Sequence, residues 1–243
     1  MASLVDNPHF EPDPAALRDA GPGPFMDLVP PEEVVPFGEV IGIHPAPWTK
    51  RLFDVLFAGA ALIALTPILL FLMLAIVVES WGSPIFPQER VGIAGRRFRM
   101  LKLRSMIPDA ESRIRELAHL NESDGPLFKI RRDPRRTRVG RVLRATCLDE
   151  LPQLVNILRG EMSLVGPRPP LAREILYYTR EQMRRLSVVP GLTGAWQVSG
   201  RSTLDWENSI RLDLDYIDNW SFGLDLKLIW RTFGAVLSSR GAY

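Results

Sequence analysis

The stretch "DVLFAGAALIALTPILLFLMLAIVVES" limits what this chain can fold into more than any other part of it. From Val55 to Val78 no side chain is charged. As α-helix, at about 1.5 Å per residue, that run reaches about 36 Å, enough to cross a hydrocarbon core of about 30 Å. A helix buried in a soluble core rarely stays apolar on every face for so long, so the segment is predicted to enter a membrane. Thr66-Pro67 lies near its middle, where proline removes an N–H donor and crowds the preceding turn, which predicts a kink. Lys50 and Arg51 precede the segment, and Arg90, Arg96, Arg97, Arg99, Lys102 and Arg104 follow it. Basic flanks favour the cytoplasmic side, and here both flanks ask for it. A helix bent at Pro67 that enters and leaves by one face satisfies both. A single-span anchor with a tolerated proline satisfies the apolar length equally.

Charge divides the rest. Residues 1–45 hold eight acids and one base, Arg18, so the net charge of +2 over 243 residues leaves +9 on the remainder. A basic body suits an anionic partner: nucleic acid, anionic lipid or a phosphorylated substrate. The acidic, proline-rich residues 1–46 bury too little to offset ordering and are predicted to be a mostly disordered arm. They show no signal-peptide pattern. The single cysteine, Cys147, excludes an intrachain disulfide and fits a reducing compartment.

Beyond the apolar segment, "PIFPQERV" and "RRFRMLKLR" around "GIAG" predict a β-hairpin, and "PDAESRIRELAHL" opens as a helix with Ile114, Leu117 and Leu120 on one stripe. The block "KIRRDPRRTRVGRVLRATCLDE" is dense in arginine. Nonspecific nucleic-acid binding is one reading, yet no DNA- or RNA-binding motif accompanies it and no aromatics interleave it for stacking. Beside a membrane segment, lipid phosphate or a phosphorylated substrate is the better partner.

That block runs into "CLDELPQLVNILRGEMSLVGPRPP". Leu151, Leu154, Val155 and Leu158 make an apolar helical stripe ended by Gly160, which puts Asp149 and Glu150 at its N-terminus. The helix dipole should keep such a carboxylate ionised, and a phosphate is favoured at the same place. An ionised aspartate can attack a phosphoryl group while a neighbouring glutamate holds Mg²⁺. Attack of anion on anion needs cations, for which Arg144, Arg168 and Lys102 are candidates. The turn "GPRPP" would hold the Arg168 guanidinium in a fixed pose for bidentate phosphate binding. Taken alone, though, an Asp-Glu pair at a helix start is as a rule only a cap, and such a turn only a turn.

Five segments in order carry a resemblance: "KRLFDVLFAGAALIALTPILL", "PIFPQERVGIAGRRFRMLKLRSM", "RVLRATCLDELPQLVNILRGEMSLVGPRP", "PGLTGAWQVSGRS" and "LDLDYIDNWSFGLDLKLIWRT". Over about residues 48–233 the chain resembles the bacterial sugar transferases, the monotopic polyprenyl-phosphate phosphoglycosyl transferases of exopolysaccharide initiation. The resemblance implies transfer of a hexose-1-phosphate from a UDP-sugar to undecaprenyl phosphate, with release of UMP and a requirement for Mg²⁺. It makes Asp149 the nucleophile of a covalent, two-step reaction and Glu150 the Mg²⁺ ligand. Lys102, Arg144 and Arg168 become phosphate-binding, and Gln197 and Arg201 of "GAWQVSGR" help form the nucleotide-sugar end. It also favours a re-entrant helix broken at Thr66-Pro67. Three departures stand out: Thr66 where serine is usual, "KLRSM" where "KFRSM" is commoner, and Pro87 in the first hairpin strand, which weakens the expected pairing there.

The expected fold is therefore mainly α with a small β-hairpin (α+β). Residues 1–46 form the arm, 47–80 the re-entrant, Pro-kinked membrane helix, and 81–243 a cytoplasmic, membrane-associated catalytic domain. Expected partners are UDP-sugar, undecaprenyl phosphate and lipids of the bacterial inner membrane, at its cytoplasmic face, with no nucleic acid; a homo-oligomer is compatible. The alternative is a membrane-tethered protein that binds nucleic acid or anionic lipid without catalysis. "LAREILYYTREQMRRL" and "DLKLIWRTFGAVL" suit either the interface or the core, as do Trp206, Trp220 and Trp230.

Overall fold

The computed structural model describes residues 42–114, 116–122, 130, 132–200 and 204–237. The arm before residue 42 and Arg201 lie outside the described residues. Eleven named elements follow in order among those residues: α1 (Trp48–Glu79), β1 (Ile85–Val91), β2 (Arg97–Leu103), α2 (Arg138–Thr146), α3 (Gln153–Arg159), β3 (Ser163–Val165), α4 (Ala172–Ile175), β4 (Gly191–Thr193), α5 (Ala195–Ser199), α6 (Trp206–Asp218) and α7 (Phe222–Leu237). Helix dominates, with an antiparallel hairpin β1–β2 and a short parallel pair β3–β4.

α1 is a helix of 32 residues with mean hydropathy 2.9 in its most apolar window. Leu56, Ile63, Leu70, Phe71, Leu74 and Val78 all stand exposed along it. Its buried residues, Lys50, Asp54, Ala58, Leu69 and Ile76, form one stripe at helical spacing. That stripe runs the length of the helix, so α1 lies along the domain rather than leaving it. Both ends are fastened to the same body. Arg51 donates to the Ile157 and Leu158 carbonyls at 2.5 and 2.9 Å. At the other end Glu79 accepts the Arg138 and Val139 N–H groups at 2.6 and 2.9 Å, capping α2.

Two features of α1 bear on those expectations. Helical structure continues across Thr66-Pro67, with no interruption between Trp48 and Glu79. The Thr66 hydroxyl donates to the Leu62 carbonyl at 2.7 Å, one residue before the Ile63 carbonyl that Pro67 cannot satisfy. Lys50 and Arg51 are also not headgroup-facing charges. Lys50 is 6% exposed, and its ammonium bonds Asp225 Oδ2 at 2.5 Å and the Val165 carbonyl at 3.0 Å.

The hairpin forms from the two runs around "GIAG" as expected, and Pro87 does not break it: Pro87 pairs Leu101 in register. The reason lies on the far side of β2. Leu101 N–H donates to Asn156 Oδ1 at 2.9 Å and the Arg99 carbonyl accepts from Asn156 Nδ2 at 2.8 Å. The backbone at Leu101 therefore points away from β1, and Pro87 opposite it occupies a position where no ladder N–H is needed.

The helix expected over 108–120 is instead a series of tight turns, with 3₁₀ pieces at Ser112–Ile114 and Ala118–Leu120. A stripe of three apolar residues is too little to sustain a helix of that length. "LAREILYYTREQMRRL" takes the core reading: α4 is one turn long, and Tyr178, Met183 and Leu186 are buried. Trp206 packs on Tyr178 with ring centroids 5.8 Å apart, and Trp220 donates to Asp225 at 3.2 Å. α7 faces outward, exposing Leu226, Trp230 and Phe233.

Candidate active site

A cleft of about 1310 Å³ gathers the sequence-predicted residues: Lys102, Arg144, Asp149, Glu150, Arg168 and Gln197 all line it. They come from β2, α2, the corner after α2, the turn after β3, and α5. Thr66 and Pro67 stand apart, exposed on α1.

The corner is made by Cys147. It ends α2 in a left-handed conformation (φ 57°) and sends the chain into a single 3₁₀ turn, Leu148–Glu150. α3 begins only at Gln153 and ends, as expected, at left-handed Gly160. Asp149 is thus not the cap of α3, and burial rather than the helix dipole governs its charge. It is 7% exposed, and desolvation pushes its carboxyl up to about 6, with Lys102 opposing and Glu150 adding to the rise. At neutral pH the carboxylate form still prevails. Burial also holds the Lys102 ammonium below its usual range, against the pull of Glu150 and Asp149. Lys102 Nζ lies 3.3 Å from Glu150 Oε1.

The turn "GPRPP" is rigid for a reason that the prolines alone do not supply. Each carbonyl from Pro167 to Pro170 is taken: by Gly191 N–H at 2.9 Å, Arg185 at 3.2 Å, Arg90 at 3.0 Å and Val91 N–H at 3.0 Å. Gly191 is needed at this crossing, because a Cβ on it would lie 2.1 Å from the Gly166 nitrogen. The Arg168 side chain is left to face the cleft, its guanidinium carbon 5.0 Å from the centre of the Trp196 ring.

Residues that the motifs did not announce do the holding. Arg90 is buried, its fork on Gln88 Oε1 and the Pro169 carbonyl; burial and nearby Arg168 lower its guanidinium to about 9. Arg185 pairs with buried Asp213 at 2.7 Å and donates to the Tyr178 hydroxyl. Lys50, Asp225 and Tyr216 meet at the Val165 carbonyl just before the turn. A signal existed for the last group: Asp225 sits among apolar residues in "FGLDLKLIW", and a carboxylate in such a pattern asks for a partner.

The arginine block does not form one face. Arg135 is buried on Asp133 and the Ala110 carbonyl, Arg144 turns inward to Ser105 Oγ at 3.0 Å, and Arg138 and Arg141 are exposed. Among the described residues no group of three or more His, Cys, Asp or Glu could hold a metal by itself. Magnesium does not need one, since it is commonly held by one or two carboxylates together with substrate phosphates. Glu150, its side chain 40% exposed and lining the cleft beside Asp149, fits that donor set.

Residues 46–239 match the family model described as bacterial sugar transferase. The chain is 41% identical over 205 residues to the UDP-galactose-lipid carrier transferase of Erwinia amylovora, across 82% of this chain and 43% of that protein. It is 41% identical over 198 residues to the exopolysaccharide production protein ExoY of Rhizobium meliloti (strain 1021), across 80% of this chain and 88% of that protein. To the UDP-glucose:undecaprenyl-phosphate glucose-1-phosphate transferase of Caulobacter vibrioides it is 41% identical over 203 residues, across 80% and 72%. The chain thus spans less than half the length of the Erwinia relative and most of the length of ExoY.

Proposed function

Because the chain belongs to the bacterial sugar transferase family, we propose that it moves a hexose-1-phosphate from a UDP-sugar to undecaprenyl phosphate and releases UMP. One observation carries the reading. The cleft that holds Asp149, Glu150 and the cations Lys102, Arg144 and Arg168 is also lined by Phe57, Ala61 and Leu65 of α1. A water-soluble nucleotide and a membrane-bound phosphate must meet at one surface, and a charged site with part of its wall on the long apolar helix meets that need.

An Asp149 carboxylate oxygen attacks the phosphorus that bears the sugar. The new Asp149 O–P bond forms as the P–O bond to UMP breaks, so the electron pair leaves on UMP. In the second half, a phosphate oxygen of the lipid attacks the same phosphorus and Asp149 leaves as carboxylate. No proton need move at Asp149, provided that it starts ionised. Arg168 and Lys102 screen the approach of anion to anion, and their worth is raised by the buried setting. Arg144 extends the cationic side. Glu150 would hold Mg²⁺ on the diphosphate, where the ion supplies Lewis-acid charge stabilisation. Gln197 and Arg201 belong to the nucleotide-sugar end.

The proposed membrane placement rests on α1. Its buried stripe touches the domain along its whole length and both ends are tied to that domain, which supports a monotopic protein whose residues 81–243 lie at the cytoplasmic face of the inner membrane. The test is UMP release from a panel of UDP-sugars with undecaprenyl phosphate in detergent or nanodiscs. Wild type should release UMP with one hexose nucleotide, and Asp149→Asn should neither release it nor show a phosphosugar adduct by intact mass. Full turnover in Asp149→Asn would remove Asp149 from the role of nucleophile.

A further inference from the structure

The cleft has a part that the phosphate chemistry leaves unused. Besides its charged residues it is lined by Phe57, Ala61 and Leu65 of α1 and by Ile229 and Phe233 of α7. Each set repeats at four-residue spacing, so each is one stripe along a helix. The two helices are pinned together elsewhere, by Lys50 on Asp225 at 2.5 Å and by Phe53 edge-on to Phe222 with centroids 5.2 Å apart. Leu192 and Thr193 of β4 line the cleft with them. Other residues of both helices are apolar and open: Leu56 and Ile63 on α1, Leu226 and Trp230 on α7, with Trp230 79% exposed.

An apolar notch that is continuous with a cationic site suits an amphipathic ligand whose phosphate and hydrocarbon are adjacent. A hydrocarbon tail beside its phosphate gains burial from both walls along its whole length, whereas a sugar nucleotide can use them only through its base. Ala61 ends at Cβ and leaves space between its larger neighbours. We propose that the notch between α1 and α7 binds the isoprenoid units next to the phosphate of the acceptor. The phosphate then lies toward Arg168 and Lys102, and the rest of the tail passes out between the exposed apolar faces of the two helices. This deepens the transferase reading and rests on it.

Two variants test the notch: Ala61→Phe, which fills it, and Phe233→Gln, at a side chain 57% exposed and so tolerant of change. Both should raise KM for undecaprenyl phosphate about tenfold, leave KM for the UDP-sugar unchanged, and leave a single round of UMP release without acceptor at the wild-type rate. An acceptor KM at the wild-type value in both variants would overturn the proposal. So would an equal rise in KM for the UDP-sugar. A polyprenyl phosphate bearing a photoreactive group in its proximal unit supplies a readout that needs no turnover. It should label peptides within 53–65 or 222–237, and labelling confined to other segments would also overturn the proposal. Wild type that releases no UMP from any UDP-sugar would sink the transferase reading, while the labelling pattern would still decide the notch.

Discussion

The amide of Asn156 bonds the backbone of β2 at Leu101: Oδ1 accepts the Leu101 N–H at 2.9 Å, while Nδ2 donates to the Arg99 carbonyl. Asn156 is wholly buried on α3, which follows the Asp149 corner, and Lys102 is the next residue of β2. One side chain thus sets the distance between the strand that carries Lys102 and the segment that carries Asp149 and Glu150. Asn156→Ala leaves buried backbone groups without partners. It should cost about 1–3 kcal/mol of stability and lower kcat, checked by thermal unfolding in detergent and by UMP release.

Asp149 should impose an acid limb on the reaction. Its carboxyl is raised to about 6 by burial, so the attacking form is lost as pH falls through that value. The rate of UMP release should drop about tenfold per pH unit below it. The stability effect has the opposite sense. Between 3.8, the ordinary value, and about 6, the folded state holds a proton that the unfolded state has lost, so stability falls as pH rises through that window. Asp149→Asn should flatten that slope in thermal scans taken across the same range.

Lys50 and Asp225 form a buried pair, with side chains 7% and 3% exposed. Removing one partner strands the other. Lys50→Met alone or Asp225→Asn alone should each cost about 3–5 kcal/mol, and the double variant should cost less than the sum of the two. Additive losses in a double-mutant cycle would show that the pair is not coupled.

Arg168 is held by its backbone and stacked on Trp196, so the planar guanidinium, not charge alone, should matter. Arg168→Lys should lower kcat/KM for UMP release by about one to two orders of magnitude, with an unchanged melting temperature. Wild-type kinetics in this variant would leave Arg168 outside the phosphate site.

The monotopic placement predicts that both ends of the chain face the cytoplasm. Single cysteines placed near residue 5 and residue 240, in a Cys147→Ala background, should react with an impermeant maleimide only after spheroplasts are lysed. Labelling of the N-terminal site in intact spheroplasts would refute it.

The uncharged run Val55–Val78, the two hairpin runs around "GIAG", Gly160 as a helix stop and the ordered motifs around Asp149 are all legible in the amino-acid sequence, because each depends on local pattern among neighbouring residues. Pattern fails where a distant partner decides the outcome. Lys50 and Arg51 resemble topology signals because flanking charge carries no sign that Asp225 and two α3 carbonyls stand within reach. The stretch 108–120 has helical spacing but too narrow an apolar face to hold a helix.

Local sequence is enough to specify the kind of protein: a long apolar helix, a carboxylate pair and a set of cations, each in a recognisable order. How they act together is set by packing across the chain. Burial is a property of that packing, so the charge of Asp149 follows chiefly from its desolvation at the corner after Cys147, with Glu150 adding to it. The turn that presents Arg168 owes its rigidity to Arg90 and Arg185, which reach it from β1 and from the 3₁₀ segment Gln182–Ser187. The meeting of polar and apolar halves in one cleft exists because α1 lies along the domain instead of departing from it, and no local pattern encodes that contact.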